Sequence, residues 1–364
     1  MKPLTVPAVT EPALLTLPPD ARNQSISLRT EANESRLRRD VRAIAQPRGQ
    51  RHAPAAMVAA GSYVAAELRA AGWLVARRSF PLPGTDGLTG TNLLGRHPDA
   101  DGNHFLLGAH LDTVAGSPGA DDNASGVACL LEIARLITAT DVGRHVTLAV
   151  FDEEEFRLAG SAAYVRETAP AERPGEVVIF ECVGYSSDEP GSQYLPPGTS
   201  VLYRGQVARI RKRRMRGDWT LLAYRRQSQE MARTLATCLS LTAGPDSTVM
   251  VRDPLDVPVI GGILRRFTNL GGNFARSDHK SFWDEGIAAL QLTDTANFRN
   301  PHYHQASDLP ATLNYGRIAD IAAATAAALQ YRWDLLGGNG PRAAVPEFAD
   351  GPPAGNPPKR DRRA

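Results

Sequence analysis

The chain has 364 residues, with 41 Lys and Arg against 39 Asp and Glu and a formal net charge of +2. A balance this close to neutral argues against a dedicated nucleic-acid binder, and 42% hydrophobic with 22% charged residues is ordinary for a soluble globular protein. Three cysteines (Cys129, Cys182 and Cys238) with no C-x-x-C pair exclude a disulfide framework and a classical zinc finger.

Residues 1–30 are Pro-rich and weakly patterned, and read as a lead-in segment without the compact apolar run of a secretory signal. Helices are predicted at 31–46 and 55–72. The longest apolar candidate, Met57 to Val75, is broken by Glu67 and Arg69, short of the roughly 18–20 residues of a membrane span. Strands at 73–80, 91–95 and 104–110 precede a helix at 124–139. A strand at 145–151, a helix at 159–168 and a strand at 176–182 follow. The span 196–225 is irregular and Arg-rich and reads as an inserted lid or loop. Beyond it come a helix at 226–241, a strand at 248–251, a helix at 278–285, a strand at 288–293 and a helix at 314–335. Residues 337–364 are Gly, Pro and charge, which predicts a disordered tail after a main domain at 31–336. No partner membrane or nucleic acid is expected, a cytoplasmic location is the simplest reading, and oligomeric state has no signature.

Val146–Phe151 and Val177–Phe180 are continuous apolar runs, which suit strands buried on both faces of a mostly parallel sheet. Alternating strands and helices then predict an α/β sandwich. Strand 104–110 ends in His110, with Asp112 two residues on. Strand 145–151 runs into Asp152-Glu153-Glu154-Glu155. Strand 176–180 ends in Glu181, and strand 288–293 in Asp294, ahead of Pro301-His302-Tyr303-His304. In a parallel sheet these ends share one edge, where α/β ligands bind. So many carboxylates repel one another unless a divalent cation sits among them. His, Asp and Glu without a Cys₄ set suit zinc, manganese or cobalt. On an extended chain Asp112 faces the same way as His110 and is placed to orient its ring. The turn Ser117–Gly126 is rich in Asp and Asn and precedes an apolar helix; a capping role and a ligand role are compatible there.

Together, GAHLD, PGADDNASG, DEEEFRLAGS, SDHKSFW and NPHYHQASD resemble the M28 family of metallopeptidases, in family order, over residues 31–335. The resemblance implies a three-layer α/β/α sandwich with a mixed, mostly parallel central sheet. It implies two zinc ions, held by His110, Asp122 as the bridge, Glu155, Glu181 and His304. Asp112 becomes the orienting partner, Asp121 and His302 neighbours, and Asp122–Asn123 a cis peptide. Anchoring on Leu158-Ala-Gly-Ser161 makes Glu154 the general base, with Glu153 as the one-residue alternative. Glu181 stands where the aminopeptidases carry Asp, a longer arm by one methylene. Tyr303 matches a tyrosine that stabilises the oxyanion.

The implied activity is aminopeptidase: removal of N-terminal residues from peptides with a free amino group, by a two-metal activated water. Rivals are a glutaminyl cyclase, a carboxypeptidase or amidohydrolase, and an inactive binding module on the same fold. Three signals stay open. Arg209–Arg216 is a solvated surface, a carboxylate clamp or a nucleic-acid patch. Asp278 and His279 lie near the site rim, or Ser277 or Asp278 caps a helix. Cys182 is a thiolate ligand or a small buried residue.

Overall fold

Among the described residues eight strands carry the fold: β1 (Leu74–Pro81), β2 (Thr89–Arg96), β3 (Phe105–His110), β4 (Val146–Phe151), β5 (Glu176–Glu181), β6 (Thr220–Tyr224), β7 (Thr248–Arg252) and β8 (Ala289–Thr293). The computed structural model describes residues 8–85, 87–257, 261 and 270–338. Among these residues the strands form one sheet in the order β1-β2-β4-β3-β5-β8-β6-β7. The middle four, β4, β3, β5 and β8, are mutually parallel. Antiparallel pairing enters at both sides, through β1 and β2 on one and β6 against β8 on the other.

Successive side chains of a strand face opposite sides of the sheet, and this sequence loads both sides. Phe105, Leu107 and Ala109 of β3, with Val146, Leu148 and Val150 of β4, join one core. Leu106, Ala149 and Phe151 join another. The first core is closed by α1 (Pro19–Glu31), α2 (Glu34–Ile44), α3 (Pro54–Ala70), α4 (Gly126–Ile137), α8 (Gln229–Ala243) and α10 (Tyr315–Leu335). The second is closed by α5 (Ala159–Glu167) and α9 (His279–Asp284), through Tyr164, Val165, Phe282 and Trp283. The result is the expected three-layer α/β/α sandwich with a mixed sheet.

Three sequence readings are corrected. The lead-in at 1–30 contains helix α1, which starts on Pro19, a residue whose fixed φ suits a first turn. Leu17 and Leu28 enter the main core, and Arg29 pairs with Asp320 on α10. The helix expected at 31–46 begins only at Glu34, because Asn33 accepts the N–H of Arg36 and caps it. The span 196–225 is no mere insert. It holds α6 (Thr199–Leu202), α7 (Arg204–Lys212) and β6, a sheet strand between β8 and β7. Val9, Ile210, Trp219 and Val249 form a small core of their own there. Apart from Gly337 and Gly338, the tail predicted at 337–364 lies outside the described residues.

Candidate metal centre

Because β3, β4, β5 and β8 are parallel neighbours, their C-terminal ends lie side by side. His110 stands opposite Phe151 and Glu181 opposite Thr293. The turn 120–125 between β3 and α4 brings in Asp122, and the loop after β8 brings in His304. The Asp122–Asn123 peptide is cis. Asn123 ties this turn to β5: it donates to the Phe180 carbonyl and accepts the N–H groups of Cys182 and Gly126. A Cβ at position 126 would lie 2.4 Å from Asn123 Oδ1, which explains the glycine.

Asp122 divides its carboxylate. Oδ1 lies 3.1 Å from His110 Nε2, and Oδ2 lies 3.0 Å from His304 Nε2. Glu181 Oε2 is 3.3 Å from His110 Nε2, and Glu155 Oε1 is 3.3 Å from His304 Nε2. Three overlapping donor groups result, His110 with Glu181 and Glu154, Asp122 with Glu155 and His304, and Asp122 with Glu181 and Cys182, each with ligand atoms within 4.8 Å of one another. His110 Nε2, His304 Nε2, Glu155 Oε1 and both Asp122 oxygens are buried and make no hydrogen bond. Atoms this close that do not bond are aimed at shared points in space. An imidazole–carboxylate set around such points fits divalent cations.

Electrostatics agree with that fit. Burial alone would lower the His304 pKa, but Asp122 and Glu155 outweigh it and push it up to about 10. Burial raises Glu155 to about 7, with Asp122 adding to the rise. Burial also holds Glu154 well above its ordinary value, His110 opposing and Glu181 reinforcing it. A cluster that distorts its own titration in this way is relieved by bound positive charge.

The surrounding residues fix the ligands. Asp112 was expected to orient His110 through its carboxylate. Its backbone carbonyl is the nearer partner, 3.2 Å from His110 Nδ1, with carboxylate Oδ1 at 3.5 Å. The carboxylate itself accepts the N–H groups of Glu154 at 3.0 Å and Glu155 at 3.1 Å. Glu153 turns elsewhere and pairs with Arg51 at 2.6 Å. The longer Glu181 arm is anchored: Ser277 Oγ donates to Oε2 at 2.7 Å and the Cys182 thiol to Oε1 at 3.2 Å. Burial pushes the Cys182 thiol up, so it is a protonated donor. Ser277, Asp278 and His279 are all fully buried rather than at a rim, and no side chain caps α9. Asp121 accepts from Gly184 and Asn300 behind the site, and His302 Nδ1 meets Ser307. Asp294 folds back onto the N–H groups of Tyr185 and Ala296, outside the cleft. Tyr303 stacks on His304 with ring centroids 3.8 Å apart.

Two further residues hold the site from behind. Asp308 accepts the N–H groups of Asp121 and Asp122, and the fully buried Arg48 donates to the Pro118 and Gly119 carbonyls just ahead of the Asp122 turn. Asp308 closes the NPHYHQASD motif, whereas Arg48 lies outside every motif. The cleft itself is lined by Asp122, Glu154, Glu155 and His304. It shares Glu181, Arg276 and Tyr303 with an apolar cavity walled by Tyr203, Val207, Trp219 and Phe274. The basic run turns from the cleft: Arg209 pairs with Glu11, and Arg213 and Arg216 pair with Asp218.

Histidines and carboxylates thus gather at the C-terminal edge of an α/β/α sheet, where α/β enzymes bind their ligands. The chain belongs to peptidase family M28, whose model matches residues 92–216 and 260–329. It is 34% identical over 245 residues to the uncharacterized protein YfbL of Escherichia coli K12, covering 63% of this chain and 67% of that protein. It is 33% identical over 145 residues to leupeptin-inactivating enzyme 1 of Streptomyces exfoliatus, covering 38% of this chain and 32% of the relative. An aminopeptidase of Pseudomonas aeruginosa matches at 33% over 134 residues, 34% of this chain and 25% of the relative. The chain thus spans about two thirds of the first relative and a third or less of the other two.

Among solved structures it resembles the Legionella pneumophila LapA aminopeptidase, with TM-score 0.61, 16% identity, and coverage of 89% and 78% of the two chains. A Porphyromonas gingivalis glutaminyl cyclase matches with TM-score 0.56 and 16% identity, covering 82% of this chain and 98% of that one. At such identity these likenesses establish the fold. Among the described residues no helix is long and apolar enough to cross a membrane.

Proposed function

We propose that this chain is a two-zinc aminopeptidase that removes N-terminal residues from peptides with a free amino group. The observation that carries the reading is the split Asp122 carboxylate, with one oxygen toward His110 and the other toward His304. His110, Glu181 and Asp122 Oδ1 would hold one ion; His304, Glu155 and Asp122 Oδ2 would hold the other. Zinc is the preferred ion, with manganese and cobalt as substitutes. Such ions supply an activated water and a polarised carbonyl.

The protein supplies the proton traffic and the orientation. Glu154, whose backbone Asp112 fixes, takes the proton of the attacking water and returns it to the leaving amine. Burial keeps the Tyr303 hydroxyl protonated, with Asp122 adding to the effect, so it can donate to the developing oxyanion. Glu154 and Glu181 face the position of the substrate amino group. The adjoining apolar cavity receives the N-terminal side chain, which favours apolar residues. Cytoplasmic residence is supported by three buried cysteines, none of them in a disulfide.

The test is mass spectrometry on a peptide pool incubated with zinc-loaded protein, beside metal analysis. The pool pairs free with acetylated N-termini and includes N-terminal Gln. Stepwise loss from free N-termini only, at two ions per chain, is the expected result. Loss of ammonia from Gln peptides would move the chain to the cyclases. Loss from C-termini would make it a carboxypeptidase, and no change at all would leave a binding module.

A further inference from the structure

The acidic cleft also carries positive charge. Arg157 and Arg276 both line it, and both are exposed. Neither has a carboxylate partner among the described residues. Arg276 donates to neutral groups, Asn297 Oδ1 at 2.8 Å and the Tyr303 hydroxyl at 3.4 Å. Arg157 has its guanidinium 5.7 Å from the Phe156 ring centroid. Guanidinium groups this near to carboxylates ordinarily pair with them. Here the oxygens of Asp122, Glu155 and Glu181 converge on the two histidines instead.

The placement of Arg157 is fixed by the chain. Arg157 and Leu158 both take left-handed φ, 65° and 57°. Their turn is closed by Leu158 N–H to the Glu154 carbonyl at 2.9 Å and Ala159 N–H to the Glu153 carbonyl at 3.0 Å. Non-glycine residues are held there at a cost of about 1 kcal/mol or more each, and such positions cluster at functional sites. Arg276 borders both the apolar cavity and the cleft, whereas Arg157 borders the cleft alone. A peptide with its N-terminal side chain in the cavity therefore runs its next residue toward Arg157. Two divalent cations would balance the four cleft carboxylates and leave both guanidinium charges free for a ligand.

We infer that the cleft selects short peptides carrying a carboxylate on the residue after the scissile bond, and that Arg157 receives it. This rests on the aminopeptidase reading above. The carboxylate is either the C-terminus of a dipeptide or an acidic side chain. Arginine's planar fork matches either one with two hydrogen bonds.

The experiment compares kcat and KM for Leu-Ala, Leu-Ala-amide, Leu-Asp-amide and Leu-Asn-amide on zinc-loaded enzyme, wild type and Arg157→Gln. A charge-assisted pair makes the anionic substrate favoured by about tenfold or more, mainly through KM. Preference for Leu-Ala assigns the terminus; preference for Leu-Asp-amide over Leu-Asn-amide assigns the side chain. In Arg157→Gln the preference falls toward unity, and Arg157→Lys recovers part of it. Circular dichroism and zinc content check that the variants remain folded and loaded. Equal cleavage of anionic and neutral peptides overturns the inference and leaves the aminopeptidase reading standing. So does a preference that survives Arg157→Gln. No cleavage of any substrate overturns both.

Discussion

Asp308 accepts the backbone N–H of Asp122 on one carboxylate oxygen at 3.1 Å, while its other oxygen takes that of Asp121 at 2.9 Å. All three residues are buried. The turn that presents Asp122 to both histidines is therefore held from behind by a residue four positions beyond His304. Asp308→Ala leaves two buried donors unpaired and is expected to cost about 1–3 kcal/mol. Asp308→Asn turns an N–H₂ toward one of the two donors, so most of the loss persists. Denaturant midpoints of the two variants check this; a wild-type midpoint for Asp308→Ala would remove the role assigned to this pair.

The acidic run after β4 offers a test of register. Glu154→Gln is expected to keep its metal and lose at least about a hundredfold in kcat, the usual scale of general-base loss. Glu153 is paired with Arg51 at 2.6 Å and does not line the cleft. Glu153→Gln is expected to stay within a few-fold of wild type. If their kinetics are exchanged, the base is Glu153 and the alignment on Leu158–Ser161 is off by one.

These two sites mark how far the sequence could be read. His110 and Glu181 stood out because a buried parallel strand is an unbroken apolar run and a charge at its end is conspicuous, whereas Glu155 was picked from the run 152–155 only through the family motif. The apolar runs of β4 and β5 predicted a buried, mostly parallel sheet for the same reason, and the three-layer frame came with the family resemblance. β6 was hidden, since Thr220–Tyr224 follows a run of arginines that masks its pattern. α1 was hidden by prolines and by its narrow contact, with only Ser25 and Leu28 buried. Arg48 carries no local signal, and the SDHKSFW motif left the role of Ser277 open, because what matters is which carbonyl or carboxylate they reach across the fold.

His279 gives a pH prediction. It is fully buried, and burial lowers its pKa to about 4, although Nε2 bonds the Phe274 carbonyl at 2.7 Å. Exposed in the unfolded chain, it titrates near 6.5. Between those values the unfolded state binds a proton that the folded state does not. Its contribution is therefore constant above about pH 6.5 and is lost as pH falls toward 4, to a total of about 3 kcal/mol. Urea midpoints of wild type and His279→Asn, measured from pH 7 down to 4.5, are expected to converge as pH falls. Parallel curves would show that His279 does not carry the acid sensitivity.

Arg48 offers the most demanding stability test. Its guanidinium is completely buried and donates to the carbonyls of Ile44, Gln46, Leu111, Pro118 and Gly119. Those carbonyls belong to the C-terminal end of α2 and the residues just after it, and to the single connection 111–119 that carries Asp112 and leads into the Asp122 turn. Burial pulls its pKa down to about 10, opposed by Asp112, Asp122, Asp308 and Glu155, so it is still a cation at neutral pH. It thus joins these segments and offsets the acids they present. Arg48→Met strands several acceptors and removes that charge, at an expected cost of at least about 3 kcal/mol. Arg48→Lys offers three donors on one point and recovers part of it. Because the strain falls on the connection that carries Asp112 and leads into the Asp122 turn, zinc affinity is expected to fall with stability in both variants. Titration of zinc alongside denaturant melts separates the two effects: lower stability with unchanged zinc affinity would confine Arg48 to the scaffold.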